Sequence, residues 1–242
     1  MSSAARSSVP YQQAVTDHHD GLREQDATRI VLRPIASPLP LGFLGLVVGS
    51  LLISALQLHW VPLTARHELA IGVLAFTVAV QLIACLFGFL CRDVVASTGM
   101  GVLSGTWATL GVSLLTSPPG TTDPGLGILL VVAAGALLIP ATAALASKVI
   151  AAFVLVLAAV RFALTGGFEL TGAHVWQYAS GVCGIVVAGL AAYAALAAEV
   201  DSAIRRSLLP MLRPPQGKRA ISGRLPEQVE SLGGEAGVRK QL

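Results

Sequence analysis

An arginine inside an apolar run is the first place in this chain to look for chemistry. Arg161 lies within VIAAFVLVLAAVRFAL, Val149–Leu164. A charge at that depth is costly unless it is paired, solvated or reaching a headgroup. Three readings follow. The guanidinium hangs over an outer vestibule and concentrates anions, as charged rings do in anion pores. Alternatively it snorkels to the outer headgroups, or it pairs with Glu169 beyond the helix end. Gln81 is the central polar group of another apolar run. His59, His67 and His174 all flank loops on one side, but no metal-ligand spacing joins them, and they read as scattered interfacial histidines. Cys85, Cys91 and Cys183 are odd in number and sit in or at the ends of apolar segments, so they read as small core residues. There is no nucleotide loop, no HExxH, no Ser/His/Asp order and no pair of intramembrane carboxylates. A membrane enzyme needs some such constellation. The chain therefore reads as a non-enzyme without metal, cofactor or nucleic-acid partner.

The elements that hold these residues are membrane helices. Of 242 residues, 54% are hydrophobic and 12% charged, with a mean hydropathy of +0.74. Soluble domains carry about twice that charge. Six apolar runs approach the ~20 residues a bilayer demands: Leu39–Gln57, Leu69–Leu90, Val94–Leu115, Leu126–Leu145, Val149–Leu164 and Val175–Ala198. Leu126 to Leu164 is almost unbroken, and only Pro140 and the separator Ala146-Ser147-Lys148 divide it; five spans is the competing count. Charge favours six. Arg6, Arg23, Arg29 and Arg33 lie before the first run, and eight Lys and Arg from Arg205 to Lys240 follow the last. The positive-inside rule puts both ends in the cytoplasm, which needs an even number of spans. Arg92 and Lys148 then fall inside as well, while Glu68, Asp123 and Glu169 fall outside.

The expected organisation is an all-α integral membrane protein, multi-pass in the plasma membrane, with a bundle of six transmembrane helices. Residues 1–36 form a disordered cytoplasmic N-terminal tail, 37–201 the six-helix transmembrane domain, and 202–242 a basic disordered cytoplasmic C-terminal tail. The first residues lack a signal-peptide n-region, so the first helix inserts and stays. The basic tail is topogenic charge or a dock for anionic lipid. Gly42, Gly45 and Gly49 form one small-residue stripe, and Ser97, Gly101 and Gly105 another. Such stripes let backbones approach where lipid offers no hydrophobic drive, either as plain packing or as the frame of a narrow conduit. Pro38 and Pro40 suit a helix start, where the missing N–H groups have no partner anyway. The same helix N-terminus can meet an anion.

The stretch SPLPLGFLG, Ser37–Gly45, resembles the N-P-x-P-L-G signature that opens the first helix of the acetate uptake transporter family, the GPR1/FUN34/YaaH group. QLIACLFGFLCRDVVASTGMGVLSGTW is similar to that family's passage from second to third helix, with Gln81, Thr98 and Trp107 at matching spacing. GLAAYAALAAEVDSAIRRSLLP resembles its sixth helix, with Tyr193, Glu199 and Pro210 in place. The resemblance spans roughly residues 36–213. It implies a six-helix protomer, assembled as a hexamer. It also implies one pathway per protomer for acetate and similar small carboxylates such as succinate, channel-like or linked to protons. Site positions implied by the signature are Ser37, Pro38, Pro40, Leu41 and Gly42. Ser37 replaces the family's Asn, so a hydroxyl stands where an amide is usual. The family's constriction, an aromatic on the first helix, a tyrosine on the third and a leucine on the fifth, falls on Leu46, Leu103 and Ala158.

One check is independent of the family. At about 1.5 Å per residue, Leu46, Leu103, Ala158 and Gln81 all lie roughly 11–14 Å from their cytoplasmic helix ends, in one layer. That layer is a dry ring, with Gln81 its one polar member. The changed ring points to a substrate other than acetate, a bulkier carboxylate or a neutral solute. The rival reading is a membrane scaffold or sensory partner that keeps the fold without transport.

Overall fold

The computed structural model describes residues 36–204, with side chains to residue 201; the expected tails lie outside the described residues except for Ala36 and residues 202–204, and the latter continue the last helix. Six long helices carry that region, and there is no strand among the described residues. They are α1 (Leu39–Gln57), α2 (Leu63–Leu90), α3 (Val94–Thr116), α4 (Pro124–Leu145), α5 (Val149–Thr171) and α6 (His174–Ile204). α2 opens in a 3₁₀ turn at Leu63–Ala65 and contains a π-helical stretch at Val73–Val78. Five helices are long and apolar enough to cross a membrane. The exception is α3, where 11 of 23 residues are Gly, Ser or Thr.

Local chemistry sets the helix ends. Pro38 is the N-cap of α1 and Pro40 lies in its first turn, where neither proline breaks a helical hydrogen bond. Asp93 caps α3 by accepting from Ala96 N at 3.1 Å, and Asp123 caps α4 by accepting from Gly125 N at 2.9 Å and Leu126 N at 3.1 Å. α5 ends at Gly172 with φ +70°, the left-handed conformation glycine adopts without Cβ strain.

The connections run from two residues (172–173) to seven (117–123), too short to cross a helix length, so successive helices are antiparallel. Each helix packs on the next, and α6 packs back on α1. The six thus close into a ring around a filled axis. The ring has a terminal end, with the start of α1, the α2–α3 and α4–α5 turns and the end of α6. The other three connections lie at the far end. At the terminal end Lys148 forms an ion pair with Asp93, tying the two turns together. At the far end Arg66 donates to the carbonyls of Leu114 and Ser117, and Glu169 Oε2 accepts from Asp123 N at 2.8 Å.

α5 runs past the expected stop at Leu164 to Thr171. Gly166 and Gly167 lie within this helix as packing surface. A Cβ on Gly166 would lie 2.8 Å from Gly127 O, and one on Gly127 3.1 Å from Gly166 O, so α4 and α5 cross backbone to backbone. α2 likewise begins before the expected Leu69, and α6 extends past Ala198. The α1 stripe is packing as expected: Gly42 abuts Met100, Gly45 abuts Val80 and Gly49 abuts Thr77. The α3 stripe divides. Gly101 abuts Cys85, whereas a Cβ on Gly105 would meet nothing within 4 Å, on a shallow outer groove shared with Ile128 and Val132.

Candidate functional site

One stripe of α1 faces the ring axis along its whole length: Phe43, Leu46, Ser50, Ser54 and Gln57, all buried. Its spacing is that of a helix face, but its chemistry changes at Ser50. Below that point the axis is dry: Leu46, Leu103 and Ala158 are all within 1% of complete burial and belong to one continuous core. Gln81 is also fully buried at this depth; its Nε2 donates weakly to Gly42 O at 3.4 Å and its Oε1 has no protein partner.

Above the dry layer sits Arg161, only 2% exposed. Its Nη1 donates to Ser50 Oγ at 3.0 Å and its Nη2 to Ser50 O at 3.2 Å, while Nε has no protein partner. The guanidinium lies over the Trp107 ring, 5.0 Å from the centroid, and Phe162 meets the same indole edge-on with centroids 5.3 Å apart. No acidic side chain among the described residues pairs with Arg161, and among them it is the one charged side chain in the core. An unpaired buried charge costs several kcal/mol. A desolvated cation–π contact returns about 2 kcal/mol, so the position is held at a net cost.

A layer of neutral hydrogen bonds lies one turn further out. Gln57 Nε2 donates to Thr165 Oγ1 at 3.2 Å, Thr165 and Ser180 share a hydroxyl contact of 2.6 Å, and both hydroxyls reach Arg161 O, at 3.1 and 3.3 Å. A cavity of about 100 Å³ opens from the far end onto this layer, with Arg66, Asp123 and Glu169 near its mouth and Ile53, Gln57, Leu110 and Thr165 deepest. From the far end inward the axis therefore reads charged mouth, hydroxyl and amide layer, buried cation, dry layer.

The family model of the GPR1/FUN34/YaaH family matches residues 21–212. The chain belongs to that family. Among solved structures it is similar to the bacterial acetate channel SatP, with TM-score 0.65, 21% identity, and coverage of 73% of this chain and 99% of that one. At that identity the likeness establishes the fold. No curated protein matches the chain significantly.

Leu46, Leu103 and Ala158, the positions on which the expected constriction falls, are all buried and belong to one hydrophobic core. Of the signature residues, Pro38, Pro40 and Gly42 are buried, whereas Ser37 is exposed and Leu41 faces outward at 39% exposure. Thr98 is also exposed, its hydroxyl spent on Val94 O at 2.6 Å. Tyr193 is half-buried against the core. The readings of Arg161 as a snorkelling residue or as the partner of Glu169 are overturned: the guanidinium is enclosed, and Glu169 Oε2 bonds to Asp123 N. Nor does it overhang the open vestibule, because the Gln57–Thr165 layer lies above it. His59 packs on Tyr178 with ring centroids 5.6 Å apart, and His174 Nδ1 meets Gln177 Oε1 at 2.9 Å. Among the described residues no group of three His, Cys, Asp or Glu side chains comes together.

Sequence reading missed Ser50, Ser54, Gln57, Thr165, Ser180 and Trp107 as companions of Arg161. The signal was present as helix-spaced polar stripes: Ser50, Ser54 and Gln57 on α1, Arg161 and Thr165 on α5, Gln177 and Ser180 on α6.

Proposed function

We propose that this chain is a membrane conduit for small monocarboxylates such as acetate, with six spans and both termini cytoplasmic in the plasma membrane. Membership of the GPR1/FUN34/YaaH family supports the class. The observation that carries the reading is the graded axis: a cavity from the far end with charged residues in its lining, the Gln57–Thr165 layer, an unpaired buried cation beneath it, then the closed dry layer of Leu46, Leu103 and Ala158. A charge enclosed among membrane helices is costly and marks a functional position by default. The far end faces outside in this reading, since the terminal end carries Arg92, Lys148 and both tails' basic residues. α3 spans despite its hydroxyls and glycines, because it is enclosed in the ring between α2 and α4. The pathway residues of this conduit are the buried ones above, with Ser37, Pro38 and Pro40 at its inner mouth. Its partners are small carboxylate anions, protons where uptake is proton-linked, and lipids. Copies of the chain assemble through outward faces such as the Gly105 groove, as a hexamer.

Uptake of labelled acetate by proteoliposomes holding the full chain tests the function. Saturable uptake is expected; no carboxylate flux by well-folded protein leaves the scaffold reading. Sidedness has its own test. A cysteine at Thr122, in a chain with Cys85, Cys91 and Cys183 replaced by alanine, is expected to react with an impermeant maleimide added outside intact cells. Reaction only after permeabilisation would invert the topology.

A further inference from the structure

Arg161 Nε and a polar atom on each of two buried side chains near it, Ser54 Oγ and Trp107 Nε1, have no protein partner. All belong to buried side chains, on α5, α1 and α3. A Cβ built on Gly184 would stand 2.1 Å from Ser54 Oγ and 2.6 Å from Arg161 Nε, so the two atoms lie near each other, packed against the bare backbone of α6. Buried polar groups ordinarily find partners, and a buried guanidinium ordinarily finds an anion. Here two unpartnered donors, Arg161 Nε and Ser54 Oγ, lie near each other, with no buried carboxylate among the described residues to receive them. The one ionisable neighbour of Arg161 among the described residues is the Cys183 thiol, a weak donor and not a counter-ion.

We propose that Arg161, Ser54 and Trp107 form a recognition site for the single carboxylate of a short monocarboxylate anion, whose hydrocarbon tail points into the Leu46–Leu103–Ala158 layer. The inference rests on the conduit reading and names the cargo class. In the structure Ser50 occupies the guanidinium's two terminal nitrogens through its hydroxyl and its carbonyl. An arriving carboxylate takes that fork from Ser50, a charge-assisted exchange for neutral bonds. Ser54 Oγ and the indole N–H supply further donors. The dry layer then selects. A dicarboxylate would bury its second charge against Leu46, Leu103 and Ala158, with no further cation in the described core to meet it. A neutral solute leaves the guanidinium as unpaired as before and gains nothing from it.

The probe is acetate itself, read by Trp107. Trp60 and Trp176 are the other tryptophans and both are exposed, so replacing them with phenylalanine leaves Trp107 as the sole fluorophore. In purified full-length protein at constant ionic strength, acetate should change this fluorescence saturably where chloride does not. Arg161→Met should abolish the response and lower acetate flux about tenfold to a hundredfold, the worth of a charge-assisted bond. Arg161→Met removes an unpaired buried charge in favour of an apolar side chain, so it should fold. Ser54→Ala is the second arm, because Ser54 Oγ has no bond to lose in the closed protein; it should weaken acetate binding by up to about tenfold. Succinate should titrate far more weakly than acetate.

An acetate titration unchanged by both Arg161→Met and Ser54→Ala would overturn the site. If flux also persists in those variants, the conduit stands and only the site falls. An Arg161-dependent titration in protein that moves no carboxylate keeps the site and removes the conduit. Succinate binding as tightly as acetate would overturn the monocarboxylate assignment.

Discussion

The two halves of α1 present the same face to the same axis and make different environments. From Leu39 to Gly49 that face is apolar or bare, and it meets Met100, Val80 and Thr77 at close range. From Ser50 to Gln57 it is hydroxyl, hydroxyl and amide, each at most 6% exposed. The first half offers no polar side chain of its own to this axis, although Thr77 Oγ1 and Gln81 Oε1 on α2 beside it are unmatched by protein. The second needs every polar group matched, and Ser54 Oγ and Gln57 Oε1 are not matched by protein. A helix buried for packing alone would carry the apolar pattern throughout, since unmatched polar atoms cost about 1–3 kcal/mol each. The change at Ser50 therefore marks where packing stops being the sole purpose of the axis.

Filling the dry half should have the largest effect. Ala158 is 1% exposed and lies in one core with Leu46 and Leu103. Ala158→Phe adds a ring where there is room for a methyl group. Overpacking of this kind costs about 1–3 kcal/mol in stability, but it should remove nearly all labelled-acetate uptake while the protein still inserts. Uptake at the parental rate by normally expressed Ala158→Phe would take this layer off the pathway. Leu46→Phe, which restores an aromatic at the family's position, should reduce flux less.

In the polar half the corresponding overpacking is Gly184→Ala. Its new methyl meets side chains, Ser54 Oγ and Arg161 Nε, and not backbone. Both can shift, but Arg161 can do so only by straining its bonds to Ser50. A loss of about 1–3 kcal/mol is expected, read as a lower melting temperature in detergent. The same change at Gly88 in the dry half strikes Ser97 N at 2.6 Å and Ser97 Cα at 2.9 Å, backbone that cannot rotate away. Gly88→Ala should therefore melt lower than Gly184→Ala. Equal melting points would mean that the Arg161 layer is as rigid as a backbone crossing.

The dry half was far more legible than the polar half. Run length and flanking charge located the helices, and counting residues from their ends put Leu46, Leu103 and Ala158 at one depth. Burial requires nothing more of such residues than an apolar side chain facing inward. Arg161 follows Ala158 by three residues and is buried as Ala158 is, but its surroundings depend on what α1, α3 and α6 bring to it. Serine and threonine in membrane helices commonly bond to their own backbone, as Thr98, Thr109 and Thr116 do. A sequence therefore does not distinguish those hydroxyls from Ser50, Thr165 and Ser180, which bond across helices. Leu41 and Thr98 fail for a related reason: motif spacing fixes a position along a helix without fixing which neighbour it faces.

The smallest effect belongs to the terminal end, where the dry half is closed off by charge. Lys148 pairs with Asp93, with side chains 29% and 16% exposed. Solvent screens a pair of this kind, and its worth is below about 1 kcal/mol. Asp93 has a second duty, because its other carboxylate oxygen accepts from Ala96 N at 3.1 Å and caps α3. A lost cap costs about 1 kcal/mol by itself. The two partners should therefore be unequal. Lys148→Ala removes only the pair, and its small destabilisation should shrink as salt rises. Asp93→Ala removes pair and cap, so it should melt lower and keep most of its deficit in high salt. Asp93→Asn keeps an oxygen for the cap and should behave like Lys148→Ala. If Lys148→Ala and Asp93→Ala melt together at every salt concentration, the cap contributes nothing, and the turn is held by the ion pair alone.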